Sequence, residues 1–203
     1  MRFLEKLEKI VDKNNSLVCV GLDSNIDEIP KQVRDGRNID QFLFNKNIID
    51  ATFDLVCSYK LNIAFYQAIG LKGLKSLKLT IDYLKKNYQE IPVIVDGKIG
   101  DISNTNKEYA QFIFDYLKAD AATVNPYLGE EAIGPFLQRV DKGIIILCRT
   151  SNPGAKEFQN LPVVVRQAHH DPSRNEDDKF IATTLTKKGV TVSLSKSDKL
   201  PLY

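Results

Sequence analysis

The sequence lacks the features that would place it in several large classes of protein. Its 203 residues carry 28 lysines and arginines against 26 aspartates and glutamates, and a net charge of +2 indicates no nucleic-acid or other polyanionic partner. No apolar run is long enough to cross a membrane, and the N-terminus is a charged amphipathic segment rather than a secretory signal. No internal repeat occurs at solenoid spacing. We therefore expect a cytoplasmic globular domain with its own core, without a membrane partner.

Cysteine is also scarce, and its positions exclude a disulfide scaffold. Cys19, Cys57 and Cys148 each lie in an apolar run, and no pair has the spacing of a metal or redox motif. The sequence therefore predicts reduced cysteines in the core of a cytosolic protein. We predict no metal site.

What the sequence does contain is one stretch, residues 91–101, that combines a buried strand with clustered charge. An apolar β-branched run ends in Asp96, Lys98 and Asp101, with two glycines between them. Because side chains alternate along a strand, Asp96 and Lys98 should point to the same side, and the glycines should let the backbone turn and a ligand come close. The pattern is compatible with a structural ion pair and with a catalytic site.

Strands and helices alternate along the rest of the chain. Alternation at this spacing predicts parallel βαβ units, and near-continuous apolar strands predict a sheet covered by helices. We expect strands within residues 16–23, 58–65, 91–101, 120–127 and 143–148. We expect helices over residues 2–13, from Asp40 onward, over 70–87, from Ser103 or Asn104 onward, and over 129–139.

The helical periodicity also predicts which side chains face the core. In the second helix the expected buried stripe is Phe42, Ile49, Phe53 and Val56. In the third it is Leu71, Leu74, Leu77, Ile81 and Leu84, and in the fourth Tyr109, Phe112, Ile113 and Tyr116.

Polar side chains follow each of the five predicted strands. They are Asp23, then Lys60 and Asn62, then the cluster of residues 96–101, then Asn125, then Thr150 and Ser151. Polar groups at the same end of successive parallel strands are typical of the active face of a (β/α)₈ barrel. The predicted fold class is therefore α/β, of the (β/α)₈ TIM-barrel type, with about five βα units.

Residues 1–161 resemble the orotidine 5′-phosphate decarboxylase family. The most specific motif is Asp96-x-Lys98-x-x-Asp101. It is supported by Gly21-Leu22-Asp23, by Lys60-x-Asn62-x-Ala64-Phe65 and by Thr150-Ser151-Asn152-Pro153. The resemblance implies decarboxylation of orotidine 5′-phosphate to UMP and carbon dioxide, the last step of UMP synthesis, without a cofactor.

The same resemblance implies a catalytic array of Lys60, Asp96, Lys98 and Asp101. Lys98 would protonate C6 of the pyrimidine as carbon dioxide leaves, and Asp96 would sit against the substrate carboxylate, with Lys60 beside it. Asp101 would act in trans, reaching into the partner's site of a homodimer. A fixed ammonium at the reacting carbon fits this chemistry, because no cofactor delocalises the carbanion.

Substrate-binding residues are implied in the same way. Asp23 and Asn62 would hold ribose hydroxyls, Thr105 would contact the ribose from the partner, and Thr150 or Ser151 would hydrogen-bond the pyrimidine ring.

Two rival interpretations remain. One is a sister enzyme, 3-keto-gulonate 6-phosphate decarboxylase, which shares the Asp-x-Lys-x-x-Asp pattern but uses Mg²⁺ and a glutamate at the end of its second strand. This chain has Lys60-x-Asn62 there. The other is an inactive, degenerate gene product.

The second rival follows from residues 162–203, which do not resemble the family and which we predict to be a tail of loop and a β-hairpin around Gly189. An eight-stranded barrel typically needs about 250 residues. Strands six to eight, which carry the phosphate-binding loops, have no counterpart here, so we expect impaired activity. Adjacent His169 and His170 in an extended segment point opposite ways and do not predict a metal site.

Overall fold

The computed structural model describes residues 1–34 and 40–159, without the side chain of Phe158. Residues 1–144 form one compact unit, and a second unit begins at Ile145. The predicted tail and its hairpin, residues 162–203, lie outside the described residues, as does the loop segment 35–39.

Helices and strands alternate as the sequence predicts. The strands are β1 (Cys19–Gly21), β2 (Ser58–Asn62), β3 (Val93–Ile99), β4 (Ala121–Val124) and β5 (Gly143–Ile146). The helices are α1 (Phe3–Asn14), α2 (Asp40–Thr52), α3 (Ile63–Gln67), α4 (Leu71–Asn87), α5 (Ser103–Ala110), α6 (Glu130–Leu137) and α7 (Ala155–Phe158). The loop between β1 and α2 contains two short 3₁₀ turns, Ile26–Glu28 and Lys31–Val33.

The strands form one sheet in the order β1-β2-β3-β4-β5. The pairs from β1 to β4 are parallel, with Gly21 opposite Lys60 and Asn62 opposite Asp96. Parallel strands that follow one another in space as they do in sequence, each linked by a helix, form the (β/α) pattern that was predicted. The predicted fold class is confirmed, since the described residues form five strands of a (β/α) barrel.

The core lies where the sheet meets its covering helices. Tyr59 and Leu61 of β2, and Val93 and Val95 of β3, have no exposed surface. Burying a side chain of this size contributes about 1.5–3 kcal/mol, so these central strands supply much of the stability.

The buried face of α2 differs from the predicted apolar stripe. Its buried residues are Gln41, Asn45 and Ile49, while Phe53 lies beyond the helix and is 39% exposed. The prediction counted only apolar residues, but polar side chains can be buried when they are hydrogen-bonded.

The predicted core face of α5 is also only partly right. After Ala110 the helix continues as a π-helical segment, Gln111–Tyr116. The wider turn shifts the phase of the side chains, so Ile113 and Phe114 are buried while Tyr109 and Tyr116 are exposed.

Two further expectations about burial are wrong. Cys57 is buried, but Cys19 and Cys148 are exposed, because β1 is an edge strand and Cys148 follows the end of β5. Leu71 is 86% exposed at the first turn of α4. Within the described ranges, none of the helices is both long enough and apolar enough to span a membrane.

One ion cluster connects α1, α4 and β3 to the start of β4. The ammonium groups of Lys6 and Lys85 lie 3.0 and 2.5 Å from the same carboxylate oxygen of Asp120. That oxygen also accepts a hydrogen bond from the Val93 amide at 2.8 Å. Asp120 precedes β4, so this cluster lies at the opposite end of the strands from Asp96.

Candidate active site

Three neighbouring strands bring charged side chains together at the carboxyl end of the sheet. Asp23 follows β1, Lys60 lies on β2, and Asp96 lies on β3. Because the strands are parallel and paired in register, residues far apart in sequence meet at this edge.

The side chains form a row of alternating charge. The Lys60 ammonium lies 2.9 Å from Asp23 Oδ2 and 3.5 Å from Asp96 Oδ2. The Lys98 ammonium lies 2.8 Å from Asp96 Oδ1 and 2.9 Å from Asp96 Oδ2. The two inner members, Lys60 and Asp96, therefore each have a partner of opposite charge on both sides, which favours their charged forms.

Exposure differs sharply along this row. The Asp96 side chain is 8% exposed, whereas that of Lys98 is 47% exposed. The carboxylate is thus a fixed buried anchor, and the ammonium that it holds faces the open side of the sheet edge.

The backbone of β3 is irregular at this point. The pairing of β3 with β4 changes register between Val95 and Ile99, and Lys98 adopts a left-handed φ of 47°. The sequence suggested that the glycines would take up the turn, but Lys98 carries the positive φ. A non-glycine residue there costs of order 1–3 kcal/mol, a strain that clusters at functional sites.

Thr123 of β4 holds this irregular segment, and the sequence reasoning missed it. Its hydroxyl donates to Asp96 Oδ1 at 2.7 Å and accepts a hydrogen bond from the Lys98 amide at 2.8 Å. One side chain therefore fixes both the carboxylate and the backbone of the lysine. The sequence did contain a signal for this role: Thr123 is a hydroxyl residue in an otherwise apolar strand, and a buried hydroxyl needs a hydrogen-bond partner.

The pKa of Asp96 reflects two opposing effects. Burial acts to raise the pKa, but hydrogen bonds from Lys98 and Thr123 and the positive charges of Lys98 and Lys60 outweigh it. The pKa therefore lies below the ordinary value, and Asp96 is an anion near neutral pH.

The pKa of Lys60 is shifted in the direction that preserves its charge. Burial acts to lower this pKa, but the hydrogen bond and charge of Asp23, together with Asp96, raise it above its usual range. Lys60 is thus a permanent cation between two carboxylates.

Asp101 and Thr105 lie just beyond this cluster. The Asp101 carboxylate accepts a hydrogen bond from the Ile102 amide at 2.7 Å, and within the described part of the chain it forms no ion pair with a lysine. Thr105 lies in the first turn of α5, and its amide donates to Asn104 Oδ1 at 2.8 Å. The structure therefore brings together three of the four expected catalytic residues and leaves Asp101 separate from them within one chain.

Asn62 serves the local fold as well as the site. Its side chain accepts a hydrogen bond from the Ala64 amide at 3.1 Å and so caps α3. The backbone amide of Asn62 donates to Asp23 Oδ1. The predicted strand from 58 to 65 ends here because this cap starts a helix.

Thr150 and Ser151 belong to the second unit, in the loop before α7. The Thr150 amide donates to Gln159 Oε1 at 2.7 Å, and Gln159 Nε2 donates to Thr150 Oγ1 at 3.0 Å. This pairing closes the loop on itself, and Ser151 is exposed within it.

A metal site was not expected. In residues 1–34 and 40–159, no group of three or more histidine, cysteine, aspartate or glutamate side chains is arranged to hold a metal ion.

The arrangement is suited to reactions that develop negative charge. A half-exposed ammonium, positioned by a buried carboxylate, can stabilise an anion formed beside it and then supply a proton. A second, permanent cation lies on the far side of the carboxylate.

Comparison with known families matches residues 16–192 to the model of the "Orotidine 5'-phosphate decarboxylase / HUMPS family". Among curated relatives, the orotidine 5′-phosphate decarboxylase of Thermomicrobium roseum is 48% identical over 164 residues, covering 80% of this chain and 57% of the relative. The enzyme of the same name from Cellvibrio japonicus is also 48% identical over 164 residues, with coverage of 80% and 59%.

A solved structure gives the same result at the level of the fold. The OMP decarboxylase of Leishmania donovani is 32% identical, with a TM-score of 0.70, and the match covers 82% of this chain and 61% of that one. The chain thus spans somewhat more than half the length of the relatives that it matches.

Proposed function

Because the chain belongs to the orotidine 5′-phosphate decarboxylase / HUMPS family, we propose that its site converts orotidine 5′-phosphate to UMP and carbon dioxide. The observation that carries this proposal is the Lys98 ammonium, which is 47% exposed yet held by both oxygens of the buried Asp96 carboxylate.

The proposed step needs no cofactor. The bond between C6 and the carboxyl carbon breaks, carbon dioxide leaves, and the electron pair stays on C6. The Lys98 ammonium stabilises this carbanion and transfers a proton to it, and the lysine then regains a proton from water. Asp96 would face the substrate carboxylate, and their repulsion would add to the driving force.

The remaining predicted residues bind substrate in this proposal. Asp23 and Asn62 hold ribose hydroxyls, and Thr150 or Ser151 bonds the pyrimidine ring. Contacts of this kind orient a substrate, and orientation supplies a large part of an enzyme's rate enhancement.

We further propose a homodimer in which Asp101 and Thr105 act in the partner's site. The absence of an ion pair between Asp101 and a lysine within the described residues of one chain supports this assignment, because it leaves the carboxylate available to a lysine of the partner subunit. A cytoplasmic location remains a prediction.

The sister activity, 3-keto-gulonate 6-phosphate decarboxylase, is the less suitable candidate. The resemblance gives that enzyme Mg²⁺ and a glutamate at the end of the second strand, where this chain has Lys60-x-Asn62 and where the Asn62 side chain caps α3.

The direct test is an assay of the purified 203-residue chain with orotidine 5′-phosphate. The loss of ultraviolet absorbance as the substrate becomes UMP measures turnover, and Lys98→Met is the control. Turnover that disappears in the variant supports the proposal. Absence of turnover, combined with absence of binding of 6-azaUMP in calorimetry, would contradict it and favour the inactive alternative.

Calorimetry with 6-azauridine, which lacks the phosphate, then measures the phosphate contribution. A large difference between nucleotide and nucleoside would show that this chain holds a phosphate site of its own. Equal, weak binding of both would account for the impaired activity that we expect from the sequence.

A further inference from the structure

The backbone on both sides of Asp23 is held by buried side chains from the helical layer. The Tyr66 hydroxyl, on α3, donates to the carbonyl oxygen of Leu22. Gln41 Nε2, on α2, donates to the carbonyl oxygen of Ser24 at 2.8 Å. The two carbonyls that flank Asp23 are therefore each fixed by a different helix.

Asn45 connects these contacts to one another. Its Nδ2 donates to the Tyr66 hydroxyl at 2.9 Å and to Thr80 Oγ1 at 3.2 Å. Its Oδ1 accepts a hydrogen bond from Ser24 Oγ at 3.4 Å. Because Asn45 donates to the Tyr66 oxygen, the Tyr66 proton is left to bond Leu22.

These groups are buried completely or almost so. Asn45, Tyr66 and Thr80 have no exposed surface, and Gln41 is 1% exposed. Burying polar side chains costs free energy unless they are bonded, and Gln41 Oε1 has no partner within the described residues. A helix needs no such residues to pack on a sheet, since leucine would serve better.

These contacts hold the backbone beside Asp23, which is the first member of the row of alternating charge. Asp23 bonds the Lys60 ammonium at 2.9 Å and accepts a hydrogen bond from the Asn62 amide. The Leu22 amide donates to the Lys60 carbonyl at 2.8 Å, so the segment is tied to β2 on its other side. The position of the Asp23 carboxylate is thus set by the backbone that the buried side chains hold.

We propose that Gln41, Asn45 and Tyr66 are positioning residues that fix the Asp23 carboxylate on Lys60 and so define the ribose-binding side of the site. They touch neither substrate nor reacting atoms. The assignment to the ribose rests on the proposed function, whereas the effect on Lys60 does not.

The test variant is Tyr66→Phe, which keeps the ring and removes the hydroxyl. Tyr59→Phe is the matched control, because Tyr59 also has no exposed surface and donates to a backbone carbonyl, that of Ile49, at 3.2 Å. Each variant loses two hydrogen bonds of its hydroxyl, to Asn45 and Leu22 for Tyr66 and to Thr52 and Ile49 for Tyr59, but only Tyr66 is bonded next to Asp23.

The first readout needs no ligand. Titration of the Lys60 ammonium by side-chain NMR should show a lower pKa in Tyr66→Phe, because a displaced Asp23 no longer favours the charged lysine, and an unchanged pKa in Tyr59→Phe. An unchanged Lys60 pKa in both folded variants would overturn the proposal. If Tyr66→Phe does not fold, Gln41→Leu gives the same comparison from the Ser24 side.

The second readout is a double-mutant cycle on binding of 6-azaUMP. Tyr66→Phe should weaken binding about tenfold in the native background, equivalent to about 1.4 kcal/mol, and should have little effect in an Asp23→Ala background. Equal losses in the two backgrounds would mean that Tyr66 does not act through Asp23. If the unmodified chain does not bind the nucleotide, the proposed function fails, and the Lys60 titration alone decides the positioning role.

Discussion

The ammonium of Lys98 lies 2.8 and 2.9 Å from the two carboxylate oxygens of Asp96, only two residues away, although the lysine backbone is in the left-handed region at a φ of 47°. In a regular strand, side chains at i and i+2 point the same way but stand apart. The irregular pairing between β3 and β4 brings this ammonium back onto its neighbour. Backbone strain and the ion pair are therefore parts of one arrangement.

Replacing Lys98 by glycine should abolish activity but cost less stability than replacing it by alanine. Glycine relieves the left-handed strain, so we expect Lys98→Gly to be about 1 kcal/mol more stable than Lys98→Ala in urea unfolding, with neither variant decarboxylating orotidine 5′-phosphate. If alanine is as stable as glycine, the positive φ carries no strain.

Removing the Thr123 hydroxyl should disturb both residues that it holds. Thr123→Val keeps the shape but leaves the Lys98 amide without its acceptor and removes one of the donors to Asp96, so we expect a loss of about 1–3 kcal/mol in stability and a higher pKa for Asp96. Thermal unfolding and carboxylate NMR measure these effects. Thr52→Val is the control, because the Thr52 hydroxyl bonds the Ile48 carbonyl at 2.7 Å on α2, away from Asp96. The interpretation fails if both variants leave the Asp96 pKa unchanged.

Stability should rise with pH above about 8 because of Lys85. Burial lowers its pKa from 10.5 to about 8, against the opposing charge of Asp120 and with help from the Lys6 charge. Between these values the unfolded chain binds the proton more tightly than the folded one, so raising the pH favours folding. Above pH 10 the tyrosines add an opposite effect, since Tyr59 titrates at about 12 when folded.

Lys85→Met should abolish this rise without exposing Asp120, which keeps Lys6 at 3.0 Å and the Val93 amide at 2.8 Å. Urea unfolding of both proteins at pH 7, 8, 9 and 10 provides the comparison. A parallel pH dependence in the two proteins would assign the effect to other groups.

A methyl group at Gly100 should displace the loop that carries Asp101. A Cβ there would lie 2.8 Å from Asn125 Cβ and 3.1 Å from the Asn125 carbonyl oxygen, so one backbone must move. We expect Gly100→Ala to destabilise the chain by about 1–3 kcal/mol in thermal unfolding and to reduce any decarboxylation. Gly134→Ala on α6, whose Cβ would meet nothing within 4 Å, should instead be neutral or stabilising. Equal effects of the two substitutions would rule out the contact as the cause.

Local patterns in the sequence were sufficient for the charged part of the site. Asp96 and Lys98 lie within one strand, and Asp23 and Lys60 mark the ends of two others, so alternation and strand order predicted that they would meet. The burial of individual side chains was harder to predict from the sequence. Tyr109 and Tyr116 were predicted inward but are exposed, since the π-helical turn after Ala110 changes the phase that a regular helix would give.

The sequence by itself determined the βα alternation, the edge of the sheet that carries charge and the family. The tertiary structure decided how those charges are held. Thr123 reaches Asp96 across 27 residues, and Tyr66 reaches Leu22 across 44. A short-range pattern reports which face of an element a side chain occupies. The partner of a buried hydroxyl or amide is chosen only when distant elements pack together and water is excluded, which leaves each polar group to bond whatever the fold has placed beside it.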